Sequence, residues 1–522
     1  MEFVKKQIEN YTMKVKNVMQ FTLDDTINVP ENLLDIEHLV LVKGNVVVEE
    51  VSPMIDRFQV KGNLNYQILY CADKESETFD SLTGKVPFVE YINADGTKET
   101  DYIEVHASLN DLTISMLHSR KLSLKALICL DYQVKENENF EAITEISGED
   151  DAEVLTGSIS MMTLRLQEKR PVKIEEQVEI PANKPDVYQV IWKSMTLMNP
   201  QVKAEDGYFL VTGSLCVFLV YTAEEDGMPL QYFTMEVPFE KRVEEELSNA
   251  DMISGSFLSL EQYHIAVMPD SRGQDRMLEL CADFMLEIKL YGKEEMQLIK
   301  DAYSTKADIE PKRREFMLQH LLMRNCAKTR VSETIDIPKK QSVLQICNTE
   351  GSVSIDETKR TAKGIAVEGV VSAQVIYLNK DDNGSLCSAT FDIPFSTEIE
   401  LSVPEDSLRG NNDITYSIVP FIDQIQAVSL NENQIEIKAE ISLDVLAFVN
   451  EMAGAVLDME IRPVNNEKKM GLPGITCYIV KDGDTLWSIA KNYYTTVGRL
   501  REVNDLSSDR IAKGDKLVIL KE

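Results

Sequence analysis

The chain of 522 residues lacks the patterns that mark several large classes of protein. No run of about 18 apolar residues occurs, so the sequence predicts no transmembrane helix. The N-terminal stretch MEFVKKQIENYTMKVKNVM has no uninterrupted apolar segment, and we therefore expect no signal peptide.

Metal-binding and catalytic motifs are also missing. The eight cysteines form no C-x-x-C pair, and several lie in apolar runs such as SLCVFLVY, which favours buried free thiols in a reducing cytosol. The five histidines are isolated and have no metal-ligand spacing. We find no Gly-rich phosphate loop, H-E-x-x-H motif or nucleophile elbow. Although catalytic carboxylates need not be close in sequence, we predict no enzymatic activity, catalytic residues, metal or cofactor.

Positive charge is scarce. The chain has 54 Lys and Arg against 87 Asp and Glu, a formal net charge of −33. Nucleic acid and anionic membranes are bound through basic patches, so we predict neither as a partner of the acidic part of the chain. A basic or mixed-charge protein surface fits better. The alternative is that the charge only maintains solubility.

What the sequence does contain is a threefold internal repeat. The segments VKGNLNYQILY, VTGSLCVFLVY and VEGVVSAQVIY each place a Tyr eight residues after a Gly. A Pro follows each Tyr by 17 residues, in VPF, VPF and IPF. Three further prolines, Pro30, Pro181 and Pro338, precede the glycines by 32, 32 and 31 residues. Each copy ends on an alternating stretch such as QIEIKAEISLDV.

These patterns predict a mainly β fold with three tandem, sandwich-like β domains. Apolar and polar residues alternate with period two, as in a sheet with one buried face. The more continuously apolar G-to-Y stretches predict strands inside a sheet. The repeated Gly indicates a bulge or a close backbone approach, and the repeated Pro an edge strand. The segment PKRREFMLQHLLMRNCAKTR is compatible with either a helix or a strand.

The repeats resemble the SPOCS domain, which recurs in spore-forming Firmicutes. The resemblance covers about residues 20–135, 175–295 and 330–450. The second copy, with PANKPDVYQVI, fits the pattern best, whereas the first reads PENLLDI there.

The C-terminal stretch YIVKDGDTLWSIAKNYYTTVGRLREVNDLSSDRIAKGDKLVIL predicts a small βααβ module. Thr485 or Asp484 can cap a first helix whose inner face is Leu486, Ile489, Ala490 and Tyr493. Thr496 can cap a second helix that ends at Asn504. Residues 477–522 carry 8 Lys and Arg against 7 Asp and Glu, so this module differs in charge from the acidic remainder.

The same residues resemble a LysM domain. In that family a shallow groove binds N-acetylglucosamine polymers. Carried over to this chain, the resemblance implies a groove formed by Gly483, Asp484, Thr485, Leu486, Trp487, Leu506, Ser507, Asp509 and Ile511. Leu486, Trp487 and Ile511 are the expected energetic centre of a small interface. For Trp487, core packing and ligand contact are equally consistent with the sequence.

We expect SPOCS-like domains over residues 1–150, 160–300 and 315–461, a linker over 462–474, and the LysM domain over 475–522. Exposed connections are expected near 150–165 and 305–325. The repeats are expected to fold independently.

This order of domains resembles that of the SipL family of spore coat morphogenetic proteins. The resemblance implies a non-enzymatic scaffold in the mother-cell cytoplasm, at the forespore surface. It also implies binding to the coat-basement ATPase SpoIVA through the LysM domain. The alternative is a protein that anchors to peptidoglycan of the wall or spore cortex, and a weaker one is a binding protein outside sporulation. The missing signal peptide favours the scaffold.

Overall fold

The structure, a computed structural model, describes residues 2–73, 78–147, 152–223, 230–337, 342–380, 385–401, 414–463, 471 and 473–520. Pro338 and most of the predicted linker lie outside these residues. The strands of the first repeat are β1 (Glu2–Asn28), β2 (His38–Met54), β3 (Arg57–Asp73), β4 (Thr78–Asn93), β5 (Tyr102–His118) and β6 (Lys121–Ser147).

The other two repeats have the same order of strands, apart from an additional short strand, β11 (Ile253–Ser254), in the second. In the second they are β7 (Ala152–Glu179), β8 (Val187–Glu205), β9 (Tyr208–Ala223), β10 (Gln231–Glu244), β11 (Ile253–Ser254), β12 (Phe257–Pro269) and β13 (Asp275–Ser304). In the third they are β14 (Ala307–Asp336), β15 (Val343–Arg360), β16 (Gly364–Asn379), β17 (Ser385–Glu400), β18 (Ile414–Asn431) and β19 (Gln434–Pro463). The segment PKRREFMLQHLLMRNCAKTR, which the sequence allowed to be either a helix or a strand, is therefore part of strand β14.

Each repeat is built from two antiparallel sheets. The first sheet has the orders β2-β3-β4, β10-β9-β8 and β15-β16-β17, with the G-to-Y strand in the middle as predicted. The second sheet has the orders β1-β6-β5 and β14-β19-β18, and in the second repeat β13 lies between β7 and the pair β11 and β12. The prolines Pro87, Pro238 and Pro394 lie on edge strands of the first sheets, where no ladder hydrogen bond is lost. The mainly β fold is confirmed.

The two sheets of each repeat pack face to face around one apolar core. Along β6, Leu122, Leu124 and Ala126 are buried while the residues between them are more exposed, so the period-two alternation places one face inward. In this core Phe58 of β3 packs against Tyr132 of β6 with the ring centroids 5.0 Å apart. Equivalent clusters occupy the second and third repeats.

The repeated glycine is explained by a close approach. The register pairs Gly62 with Phe88, the residue after the edge-strand proline, and a Cβ atom on Gly62 would lie 2.4 Å from the Val47 carbonyl oxygen and 2.5 Å from the Phe88 ring. Gly213 and Gly369 face Phe239 and Phe395 in the same way. In all three repeats the strand on the other side of the glycine has an irregular register nearby. A close approach and a neighbouring bulge are therefore both present.

The long strands extend beyond these sandwiches as two-stranded ribbons. The ribbons are formed by the N-terminal parts of β1, β7 and β14 paired with the C-terminal parts of β6, β13 and β19. Two apolar clusters cover them, and both draw residues from all three repeats. In one of these clusters the rings of Phe140 and Phe316 lie 5.0 Å apart.

The repeats also meet at a second point, around a pseudo-threefold axis. Lys43, Ser194 and Glu350 occupy equivalent positions, each paired with the residue three before the repeat tyrosine. Glu350 accepts hydrogen bonds from both Lys43 and Ser194. Gln67 donates to the Lys193 carbonyl oxygen at 3.2 Å, and Gln374 donates to that of Val42 at 3.0 Å.

These contacts correct two expectations. Residues 152–165 and 307–325 belong to paired strands rather than to exposed connections, and only a short turn at 305–306 joins β13 to β14, because the ribbons continue to the ends of the repeats. The repeats also share apolar cores, so they pack as one body and not as separate bodies in tandem. The boundaries proposed for each domain remain a prediction.

The C-terminal module has the predicted βααβ order. Its elements are β20 (Ile475–Ile479), α1 (Leu486–Tyr493), α2 (Val497–Val503) and β21 (Lys516–Leu520). Strand β20 begins earlier than the predicted strand at Tyr478. The two strands pair antiparallel, with Cys477 opposite Val518.

Replacing the repeat glycines should destabilise the protein through crowding. We expect Gly62→Val to lower the free energy of unfolding by about 1–3 kcal/mol, because its side chain meets a backbone carbonyl group and the Phe88 ring. Gly213→Val should cost less, since the nearest atom there is 3.0 Å away. Denaturant unfolding followed by circular dichroism measures both. The control is Gly454→Val, in open space on β19, and an equal loss in the control would contradict the crowding explanation.

Candidate functional site

The C-terminal module is the candidate binding site, and its turns are fixed by local hydrogen bonds. Thr485 caps α1 by accepting a hydrogen bond from the Ser488 amide at 3.0 Å, and the Ser488 hydroxyl accepts one from the Thr485 amide at 3.0 Å. Asp484 accepts hydrogen bonds from the Lys481 amide at 2.8 Å and the Tyr478 hydroxyl at 2.7 Å. These bonds, the amide bond first, lower the pKa of Asp484. The first loop of the expected groove is therefore rigidly held.

The residues of the expected groove differ in exposure. Gly483, Thr485, Ser507 and Asp509 are exposed; Asp484, Trp487, Leu506 and Ile511 are half-buried. Leu506 and Ile511 pack against the small apolar core of the module. Leu486, which the sequence placed both on the inner face of the first helix and in the groove, is only 1% exposed and belongs to that core. A substitution at Leu486 therefore reports on stability rather than on binding.

Trp487 packs at the edge of the module's core and also contacts the body formed by the repeats. Its indole ring packs edge-to-face on Tyr303 of β13, with centroids 4.8 Å apart. Its Nε1 atom donates a hydrogen bond to Asp301 Oδ2 at 2.9 Å. Of the two roles that the sequence left open for Trp487, packing is the one that the structure shows. The packing partner is the ribbon tip and not only the module's own core.

Asp301 is the centre of this contact, which we call the clasp: Asp301, Tyr303, Asp308, Trp487, Lys491 and Tyr494. Lys491 Nζ lies 2.7 and 2.8 Å from the two carboxylate oxygens of Asp301, and Arg313 reaches the same carboxylate at 3.0 Å. The Tyr494 hydroxyl donates to Asp308 at 3.2 Å. Burial alone would raise the pKa of Asp301, but the bonds from Lys491 and Trp487 outweigh burial and lower it. The clasp carboxylate is therefore ionised at neutral pH.

Sequence reasoning missed the clasp. Trp487 and Lys491 are four residues apart on α1 and so share one face of the helix, which is the only local signal. Asp301 and Asp308 lie almost two hundred residues earlier, in a segment for which we expected an exposed connection. Only the packing of the ribbons brings these residues to one tip.

Comparison with known protein families agrees with this architecture. A family model described as LysM domain matches residues 478–520, and one described as SipL, SPOCS domain matches residues 35–117 and 342–428. The chain contains SipL-type SPOCS domains and a LysM domain. This composition matches that of a SipL-like protein and indicates a role related to sporulation. We expected the second repeat to fit the SPOCS pattern best, but the matched regions lie in the first and third repeats.

Curated relatives match only short segments. The chain is 54% identical to "Probable endopeptidase p60" of Listeria grayi over 41 residues, which are 8% of this chain and 8% of that protein. It is 50% identical to "Uncharacterized protein YkzQ" of Bacillus subtilis over 42 residues, which are 8% of this chain and 56% of that protein. The chain thus spans less than two thirds of either relative. No solved structure matches it.

Outside the LysM module, the first and second repeats enclose a buried cluster of charged groups. Glu104 of β5 is 4% exposed and contacts His106 Nε2 at 2.8 Å and Lys135 Nζ at 3.2 Å. Lys289 of the second repeat donates to the same carboxylate and lies 3.2 Å from Glu287. Lys135 and Lys289 also line a cavity of about 100 Å³ between the three repeats.

This cluster was not predicted from the spacing of the histidines. Glu104, His106 and Glu287 lie close enough to ligate a metal ion, but two lysine ammonium groups already neutralise the carboxylates. Glu37, His38 and Cys71 form a second such group, without a further feature that points to a metal. The arrangement around Glu104 is that of an ion-paired junction between two repeats. Separately, among the described residues no helix is both long and apolar enough to cross a bilayer.

The Glu104 carboxylate should stabilise the body in a pH-dependent manner. Burial alone would raise its pKa, but the hydrogen bond with His106 and the two ammonium groups hold it well below its usual 4.5. Its contribution is therefore fully present above about pH 4.5 and is lost as the pH falls towards the lowered pKa. We expect Glu104→Gln to reduce the free energy of unfolding at pH 7 by about 3 kcal/mol, because Lys135 and Lys289 lose a buried partner.

Unfolding measured from pH 7 to pH 3 tests this prediction. The difference between wild type and Glu104→Gln should shrink as the pH falls below 4.5. Glu295→Gln, in an exposed pair with Lys293, is the control and should change little. A difference that is constant over the whole pH range would contradict the proposed ionisation.

Asp301→Ala should release the LysM module from the ribbon tip. The change leaves Lys491 and the Trp487 indole without their shared acceptor, at a cost of about 2 kcal/mol, or about thirtyfold in the docking equilibrium. Trp192 is buried in the body, so acrylamide quenching of tryptophan fluorescence reports mainly on Trp487 and should increase. Small-angle scattering should show a larger radius of gyration. Asp482→Ala, on the exposed side of the module, is the control, and unchanged quenching in Asp301→Ala would refute the clasp.

Proposed function

We propose that this chain is a non-enzymatic adaptor in spore coat assembly. In this proposal the three SPOCS repeats form a rigid body, and the LysM module at its tip carries the binding groove. The matches to SipL-type SPOCS and LysM domains support the proposal, since both are binding or scaffold domains. The shared cores of the repeats support the rigid body.

One observation carries the assignment of the binding face. Gly483, Thr485, Ser507 and Asp509 stay exposed although the module is docked through Trp487 and Lys491. The clasp therefore uses one face of α1 and leaves the groove loops open to a partner. A groove of this size would bury an area at the low end of the range for specific interfaces. In such an interface a few residues supply most of the binding energy.

We further propose that the partner is the coat-basement ATPase SpoIVA, bound at the forespore surface in the mother-cell cytoplasm. The module is close to neutral in charge, whereas the body is strongly acidic. A protein partner can therefore approach the groove without the repulsion that the body presents to other acidic surfaces. The exposed amides and few apolar side chains of the groove suit a protein segment as well as a sugar.

Peptidoglycan binding is the second candidate function. The match to the LysM family over residues 478–520 favours it, because LysM grooves bind N-acetylglucosamine polymers. The same exposed loops would hold the glycan. In that case the chain would act as an anchor to the wall or cortex.

The two candidates are separated by binding measurements on the full chain. Purified SpoIVA and purified peptidoglycan are each titrated with wild type and with Ser507→Arg, which places a bulky side chain in the exposed second loop. We expect SpoIVA binding to weaken by about tenfold or more. Gly498→Arg is the matched control, since it adds the same side chain to α2, where only Thr496 Oγ1 lies within 4 Å. Retained binding to peptidoglycan and none to SpoIVA would establish the anchor instead.

A further inference from the structure

The threefold repeat provides an internal comparison of surfaces. The register that pairs Gly62 with Phe88 defines equivalent positions on the outer face of the first sheet in every repeat. Residues at these positions point to solvent beside the glycine strand and on the neighbouring edge strand. Because all three sheets have the same pairing, differences at these positions are not required by the fold.

In the first repeat this outer face is basic and apolar. Its four defining residues are Lys61 on β3 and Lys85, Val89 and Tyr91 on β4, which we call the basic face. Val89 is 50% and Tyr91 51% exposed, and Ile55 in the adjoining turn is 70% exposed. The position of Tyr91 is fixed by the neighbouring strand, since Gln59 donates to its hydroxyl at 2.5 Å and the Arg57 guanidinium lies 5.5 Å from its ring centroid.

The equivalent faces of the other two repeats are acidic. In the second repeat the four positions hold Thr212, Glu236, Glu240 and Arg242; in the third they hold Glu368, Asp392, Ser396 and Glu398. The third-repeat set, which we call the acidic face, carries three negative charges. On the basic face Lys61 is already ion-paired with Glu50 at 2.8 Å, and the positive charge available to a partner is that of Lys85 and of Arg57 beside Tyr91. Since those repeats fold without an apolar side chain at any of the four positions, Val89 and Tyr91 are not needed to hold the sheet together.

The acidic face also offers a place for a projecting ring. A shallow depression beside it is lined by Asp356, Glu357, Glu368 and Pro394. Lys359 pairs with Glu357, which leaves the other two carboxylates to interact with an incoming cation. An aromatic ring flanked by cations is complementary in charge to this depression.

We propose that the basic face docks on the acidic face of a second copy of this chain, with Tyr91 entering the depression beside Pro394. Two chains of net charge −33 repel each other at a distance, but salt screens this repulsion beyond about 8 Å. At contact the local faces decide, and they are opposite in sign. Charge complementarity between two equivalent sheet faces of one chain is the observation that selects a second copy as the occupant.

The geometry of such a contact determines the kind of assembly. The two faces lie on different repeats, so the contact joins unlike surfaces and leaves one face free on each chain. Contacts of this kind extend into open chains unless the rotation closes a ring. This inference goes beyond the proposed adaptor function and does not depend on the identity of the LysM partner.

Sedimentation of the full chain over a range of concentrations tests the proposal. We expect the average mass of the wild type to rise above the 59.1 kDa of one chain at concentrations in the tens of micromolar, and the rise to be smaller at about 1 M salt than at about 0.15 M. The test variant combines Lys61→Glu, Lys85→Asp, Val89→Ser and Tyr91→Glu. These are the residues that the third repeat already carries, so the sheet should remain folded. The variant should sediment as one chain throughout.

A complementary variant makes the test specific. Glu368→Lys, Asp392→Lys and Glu398→Lys together turn the acidic face basic, and this variant alone should also stay a single chain. Mixing the two variants should restore association, because each then offers what the other lacks. Glu236→Lys with Glu240→Lys in the second repeat is the matched control and should associate like the wild type.

Three outcomes would overturn the proposal. The first is a wild type that stays a single chain at every concentration and salt. The second is association that persists in the fourfold variant, which would place the contact elsewhere. The third is a mixture of the two variants that fails to associate although both are folded by circular dichroism.

Discussion

The projecting ribbons can bury an apolar face only against one another. A two-stranded ribbon is marginally stable in water, because one of its faces has nothing to pack against. Here Ile8, Phe140, Met296, Phe316 and other residues of three ribbons fill one common cluster. Each ribbon completes the core of the other two. The arrangement of the repeats follows from this shared burial rather than from the connections between them.

This constraint also determines where the LysM module can sit. The ribbons bring the turn between β13 and β14 to the tip of the body, and the chain leaves the last repeat at the same end, since Pro463 pairs with Ala307. Asp301 and Tyr303 therefore lie at the end of the body from which the chain continues to the module. The clasp converts a small domain on a linker into an oriented part of the body, and the groove loops remain on the open side.

Charge is used differently in the core and at the surface. At the junctions between repeats, single carboxylates such as Glu104 and Glu350 are each neutralised by lysines and hydrogen-bond donors from more than one repeat. Such buried pairs are costly to break and so fix how the repeats fit together. On the outer sheets the three repeats differ in charge, because solvent-facing positions are free to vary once the alternation and the Gly–Phe contact are kept. A repeat can thus acquire its own surface without a change of fold.

The sequence by itself determined the local structure. Alternation gave the strands, the V-x-G and Pro-Phe spacings gave the middle and edge strands, and the capping residues Thr485 and Thr496 gave the two helices. These features depend on neighbours within a few residues or on one strand pairing, which spacing encodes. Tertiary structure alone decided that the repeats share cores and that Trp487 binds Asp301. Those contacts join residues far apart in the chain. Which residues meet depends on how the apolar faces of the ribbons are buried against one another.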